Sequence, residues 1–170
     1  MKEFFEWLEQ TPFSQWVISS PSIWAYPTIL YMHSVGMITV VGVCAAIDIR
    51  LLGVAPRIPL KPLERLYPIM WLGFTITALT GLTLTIADAS TKLYNPDFWV
   101  KMAFVAASVW LLHLIRKSVF RNPGIDQTPV PSSARRLAWA SLFCWFAAIV
   151  TGRLLAYLGP VSGGSGLSNH

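Results

Sequence analysis

The chain has 170 residues, 54% of them hydrophobic and only 12% charged, against roughly 25% charged for a soluble domain. So few charges cannot cover a water-exposed surface, so lipid is the expected solvent for much of the chain. The net charge of +5 is spread between apolar blocks rather than along one face, which argues against nucleic acid as a partner.

In chain order, residues 1–20 read as an interfacial amphipathic segment. Phe4, Phe5, Trp7 and Leu8 alternate with Lys2, Glu3, Glu6 and Glu9, a pattern that lies on a bilayer rather than crossing it. Thr11 and Pro12 are placed to start a second short turn. The charged start and the lack of a short apolar core argue against a cleavable signal peptide.

Four apolar stretches follow, approximately Ser22–Ile47, Pro68–Ala87, Phe98–Ile115 and Leu137–Leu158. Each approaches the roughly 20 helical residues that a bilayer core requires. The third is slightly short and is expected to continue past Arg116, whose side chain can snorkel. Ser20-Pro21 and Asn95-Pro96-Asp97 read as helix starts. Gly53 and Pro56 close the first helix, Gly159 and Pro160 the last, and Pro27 is placed to kink the first. The expected fold is all-α: a polytopic four-helix membrane bundle over residues 21–159, with the N-terminal interfacial helix before it. A Gly/Ser-rich tail, residues 160–170, follows. The third loop, Asn122–Ser133, reads as a plain connector.

Lysines and arginines set a direction. The first loop (Arg50, Arg57, Lys61, Arg65) and the third (Arg116, Lys117, Arg121, Arg135, Arg136) hold nine, against four elsewhere. Basic loops stay inside, so both termini are expected outside.

The residues able to carry chemistry are few. Cys44 and Cys144 lie within apolar runs and read as small packing residues. Asp48 and Arg50 read as a local ion pair or an inner cap, and Asp88, Tyr94, Asn95 and Asp97 as a polar outer turn. His33 in the first span and His113 in the third are intramembrane ionisable groups, which are costly and usually functional. One haem iron held by both imidazoles would offset that cost. Gly36 lies on the His33 face and would let a flat macrocycle approach. The stripe Gly73, Thr77, Gly81 fits either that role or tight helix packing. Arg153, and also Lys101, are candidate cations for the propionates. His33 lies about 18 Å of helix from Pro21, and His113 about 25 Å from Pro96, so unequal helix starts or tilts must absorb roughly 7 Å.

Three segments carry a family resemblance: His33–Gly36 leading to Asp48–Gly53, Thr80–Ala89 with Asn95–Lys101, and Thr151–Tyr157. Together they resemble uncharacterised bacterial four-helix membrane proteins that are themselves similar to membrane cytochrome b and copper-resistance membrane domains. Tyr31 and Met32 depart from that pattern. The resemblance implies a bacterial inner membrane, which puts both termini on its periplasmic side. It implies haem binding, with haem b expected at His33 and His113, more than it identifies a reaction. Two histidine ligands leave no open iron position, which favours electron transfer with a redox protein or quinone as partner. A small transporter, a copper-handling protein using Met32, Met37 or Met102 beside the histidines, and a cofactor-free subunit of an oligomer or larger complex are the rivals.

Overall fold

The structure, a computed structural model, describes residues 2–121, 125–126 and 129–158. The helix stop at Gly159-Pro160 and the tail lie outside them. The described residues are helical with no strand: α1 (Lys2–Glu9), α2 (Pro12–Ser19), α3 (Tyr26–Leu51), α4 (Tyr67–Ala87), α5 (Ala89–Tyr94), α6 (Pro96–Ile115) and α7 (Ser132–Leu158). A 3-10 turn, Lys61–Leu66, leads into α4, and wider π-type turns carry α6 on through Phe120. Four helices are long and apolar enough to cross a membrane: Tyr26–Leu51, Lys61–Ala87, Pro96–Phe120 and Ser132–Leu155.

Local chemistry explains most boundaries. Thr11 caps α2, its side chain accepting from the Ser14 amide at 3.3 Å, and Asn95 caps α6, accepting from the Asp97 amide at 2.9 Å. The first long helix starts later than Ser20-Pro21 implied. Ser20 and Ser22 instead hold a turn, accepting from the amides of Ser22 and Trp24. Pro27 therefore sits in the first turn of α3, where its missing N–H removes no helical bond, and it does not kink the helix interior. Gly53 ends that segment at φ +92°, a conformation that favours glycine.

α3 packs most extensively on α4, and α6 on α7, while α3 and α7 join the two pairs. α4 and α6 make no comparable contact. The first contact is very close. A Cβ on Gly36 would fall 2.4 Å from Thr77 Oγ1 and 2.8 Å from the Gly73 carbonyl oxygen, and one on Gly73 2.9 Å from Thr39 Cβ.

Loops are tied at both ends. At the basic end the Asp126 carboxylate accepts from the amides of Leu60, at 2.6 Å, and Lys61, at 3.3 Å. Ile125 joins the apolar core. The third loop is thus not a plain connector, because it caps the turn that starts α4. The Arg50 guanidinium donates to the carbonyls of Ile58 and Pro56, so it braces the first loop and forms no pair with Asp48. At the other end Glu9 accepts from the Ser90 amide at 2.6 Å, and Phe5 meets Tyr94 edge to face. α1 therefore docks on α5, leaving Phe4 and Trp7 exposed.

Candidate functional site

His33 lies on the α4-facing side of α3. Its Nδ1 is 3.0 Å from the Thr77 carbonyl oxygen and 3.1 Å from Thr80 Oγ1. The Thr80 hydroxyl donates to Ile76 O at 2.6 Å, and a carbonyl only accepts. Both contacts therefore assign the ring proton to Nδ1 and leave the lone pair on Nε2. The ring rests on Gly81, where a Cβ would fall 2.9 Å from His33 Cε1. Lys101 and Lys92 lie close enough to His33 to act on it electrostatically. The Lys101 stem packs over Gly152 of α7, whose added Cβ would meet Lys101 Cε at 3.5 Å.

Lys92 marks the rim of this region. Its Nζ donates to the Leu84 carbonyl at 2.5 Å and lies 3.8 Å from Asp88. Burial pushes the Lys92 ammonium down from its ordinary value; Asp88 opposes the shift and Lys101 adds to it. Asp88 is thus a charge partner one helical turn away, and Asn95 and Asp97 serve the cap.

A double substitution tests the seat of His33. Gly81→Ala forces the ring off Thr77 and is expected to cost about 1–2 kcal/mol. In a His33→Ala background that cost should vanish. Thermal unfolding of the four proteins in detergent reads the cycle, and equal costs in both backgrounds would refute the contact.

His113 is elsewhere. It is exposed on α6 and lines a cleft of about 710 Å³ between α4 and α6, with Phe74, Val109, Trp110 and Lys117. Depth separates it from His33 as well. Lys101, an electrostatic neighbour of His33, lies twelve residues before His113 on the same helix, about 18 Å. The opposite end of the register agrees. Arg116 stacks 5.1 Å over the Tyr67 ring, and Met70, one turn from Tyr67, meets the Cys44 thiol at 3.8 Å. His113 is therefore level with the Cys44 region of α3, ten or so residues beyond His33.

The structure thus does not bring His33 and His113 to one iron. Gly36 offers no room for a macrocycle either, because Thr77 and Gly73 fill the space before it. Tight packing, the other reading of the glycine stripe, is what occurs. Arg153 is exposed and is the residue beside the glycine that carries Lys101. A bis-histidine haem with these residues around it does not fit this arrangement. Met32 and Met102 are exposed, and among the described residues no cluster of three His, Cys, Asp or Glu could hold a metal.

A second polar group lies nearer the basic end. Asp48 is 1% exposed, Ser141 1%, Tyr67 3% and Trp145 6%. Asp48 lies beside Ser141, and Trp145 beside Cys44, one turn before Asp48 on the same helix. Cys44 and Asp48 are both electrostatic neighbours of Tyr67. Of these residues the sequence had marked Asp48, but with the wrong partner, and Cys44 as packing. Tyr67, Ser141 and Trp145 carried no signal of their own. The one available hint was a carboxyl four residues from Cys44 within an apolar run.

These features define an all-helical protein with four potential membrane helices and two separated groups of ionisable side chains between them. No family model matches the chain, nor does any curated protein or any solved structure.

Proposed function

We propose that the chain is a four-helix membrane bundle that transfers protons, with His33 acting toward the end bearing α1 and Asp48 toward the basic end. The carrying observation is the seat of His33: Nδ1 is anchored on the Thr77 carbonyl, which leaves the lone pair on Nε2, and Lys101 and Lys92 are electrostatic neighbours of the ring. A ring held this way can gain and lose a proton at Nε2 without leaving its seat. Ionisable groups placed between membrane helices commonly mark such pathways. The small-transporter alternative accommodates these positions, whereas shared iron ligation does not.

In this reading the outward faces meet lipid, the α1–α2 segment rests at the membrane surface, and the nine-cation end faces the cytoplasm of a bacterial cell. A periplasm-dependent reporter fused at the C-terminus should be active. A silent one, with the reciprocal cytoplasmic reporter active, reverses the orientation.

Purified protein reconstituted in liposomes tests the function. An imposed membrane potential should drive proton uptake, and His33→Gln should slow it by at least about tenfold. Uptake equal to that of empty liposomes overturns the proposal.

The cleft at His113 favours one second reading. Its volume of about 710 Å³ falls within the range of ligand sites, and a haem b held by His113 alone would keep the electron-transfer role with a quinone or redox protein as partner. That requires a Soret band after haem-replete expression, lost in His113→Ala and retained in His33→Ala. A colourless preparation ends it.

A further inference from the structure

Four buried side-chain atoms lack a hydrogen-bond partner among the described residues: Asp48 Oδ2, Tyr67 OH, Ser141 Oγ and Trp145 Nε1. Each unpaired buried group carries the full penalty of its lost hydration. Four such atoms scattered through a small protein would be four separate penalties. These four lie on α3 and on the two helices that α3 joins, α4 and α7. Ser141 lies beside Asp48, Trp145 beside Cys44 one turn away, and Tyr67 has both Cys44 and Asp48 as electrostatic neighbours. Convergent unpaired atoms of this kind imply a shared partner.

The donor set identifies that partner. The Trp145 N–H only donates, the hydroxyls of Tyr67 and Ser141 donate or accept, and an ionised Asp48 only accepts. A metal cation would be repelled by the Trp145 N–H and would find few oxygens, short of the six or more a hard cation takes. Water accepts from Trp145 and donates to Asp48, so it satisfies both ends. We propose that bound water occupies this site, bridging Asp48 to Tyr67, Ser141 and Trp145, and that the Asp48 carboxyl holds the proton in this half of the protein. The assignment deepens the proton-transfer reading and rests on it for its role.

A route to bulk solvent adjoins the site. At the basic end a cavity of about 690 Å³ is lined by Lys61, Glu64, Arg65, Arg116 and Tyr67. Tyr67 belongs to both places, since its ring borders this cavity while its hydroxyl is one of the four unpaired atoms. Its side chain therefore borders the cavity on one side and the buried polar group on the other. The proton step is a simple exchange. A hydronium O–H bond breaks as the carboxylic O–H bond forms, and release is the reverse. The titratable groups neighbouring Asp48 are Cys44 on α3 and Tyr67 on α4, and Tyr67 in turn faces Glu64 in the turn before α4 and Arg116 just after α6. α7 supplies the neutral Ser141 and Trp145.

Infrared difference spectra of the lipid-reconstituted protein, taken between two pH values, read the site without any transport. The wild type should give a carboxylic C=O band that titrates with pH, shifts in heavy water and is absent in the isosteric Asp48→Asn. Tyr67→Phe and Ser141→Ala, which keep the carboxyl, should each shift the frequency of that band. A missing band, or one unmoved by both variants, overturns the site. A band abolished by sodium at constant pH makes the occupant a metal cation and overturns water. Liposome uptake separates the two levels: a titrating band without proton flux sinks the function and leaves the site. Flux that survives in Asp48→Asn sinks the role of Asp48 alone.

Discussion

Gly36→Leu should destabilise the protein by about 3 kcal/mol or more, read as a fall in thermal unfolding temperature or in the denaturing detergent fraction it withstands. The Cβ alone would sit 2.8 Å from a backbone oxygen, Gly73 O, and 2.4 Å from Thr77 Oγ1. Threonine can rotate, but the α4 backbone cannot retreat without giving up the pairing along the length of α3. Small residues that let backbones approach are a main source of helix association where lipid is the solvent, because no hydrophobic gain is available between helices. Gly42 is the internal control. A Cβ there meets nothing within 4 Å, so Gly42→Ala should be neutral or slightly stabilising, since alanine favours helix. Equal tolerance at the two positions would contradict the close contact of α3 and α4.

The same displacement would reach function. His33 is anchored on Thr77 and Thr80, and Thr77 is the residue against which Gly36 packs. Backbone contact and imidazole orientation thus depend on one turn of α4. Variants at Gly36 that still insert should therefore lose proton uptake together with stability.

Asp126→Ala is the second large effect expected, at the opposite end. Its carboxylate accepts two backbone N–H bonds, at 2.6 and 3.3 Å, and bonds to a charged acceptor contribute about 1.5–3 kcal/mol each when well formed. Because Asp126 is exposed, the lower end of that range, about 1.5 kcal/mol in all, is the appropriate expectation. Hydrogen exchange should rise sharply at the amides of Leu60 and Lys61, which lose their only side-chain acceptor, while the middle of α4 stays protected. Asp126→Asn keeps one acceptor oxygen and should restore part of the protection. Unchanged exchange at Leu60 would show that the third loop does not hold the first. Since Lys61 and Asp126 both line the cavity that ends at Tyr67, the substitution should also make Tyr67 easier to reach from solvent.

Much of the chain was legible as a string. The apolar lengths, Gly53, the caps Thr11 and Asn95, and the continuation past Arg116 all follow from local rules, since a helix must be long enough for lipid and must satisfy its own ends. One boundary shifted for an equally local reason, as Pro27 fits the first turn of α3 better than its interior. Tertiary structure alone decided which way the chemistry faces. In a soluble helix the polar side marks the outside, but here outward-facing residues such as Ile38, Leu72 and Phe146 are as apolar as the core. Periodicity therefore cannot distinguish an interior histidine from an exterior one. His33 turned inward onto Thr77, and His113 outward into a cleft. Depth was equally hidden, because it depends on where each helix starts relative to its neighbours, which contacts such as Arg116 on Tyr67 and Cys44 on Met70 set. The long apolar helices and their candidate ionisable residues could be read from the sequence, whereas the partners of those residues, Thr77 and Thr80 for His33 and Ser141 for Asp48, needed the register of packed helices.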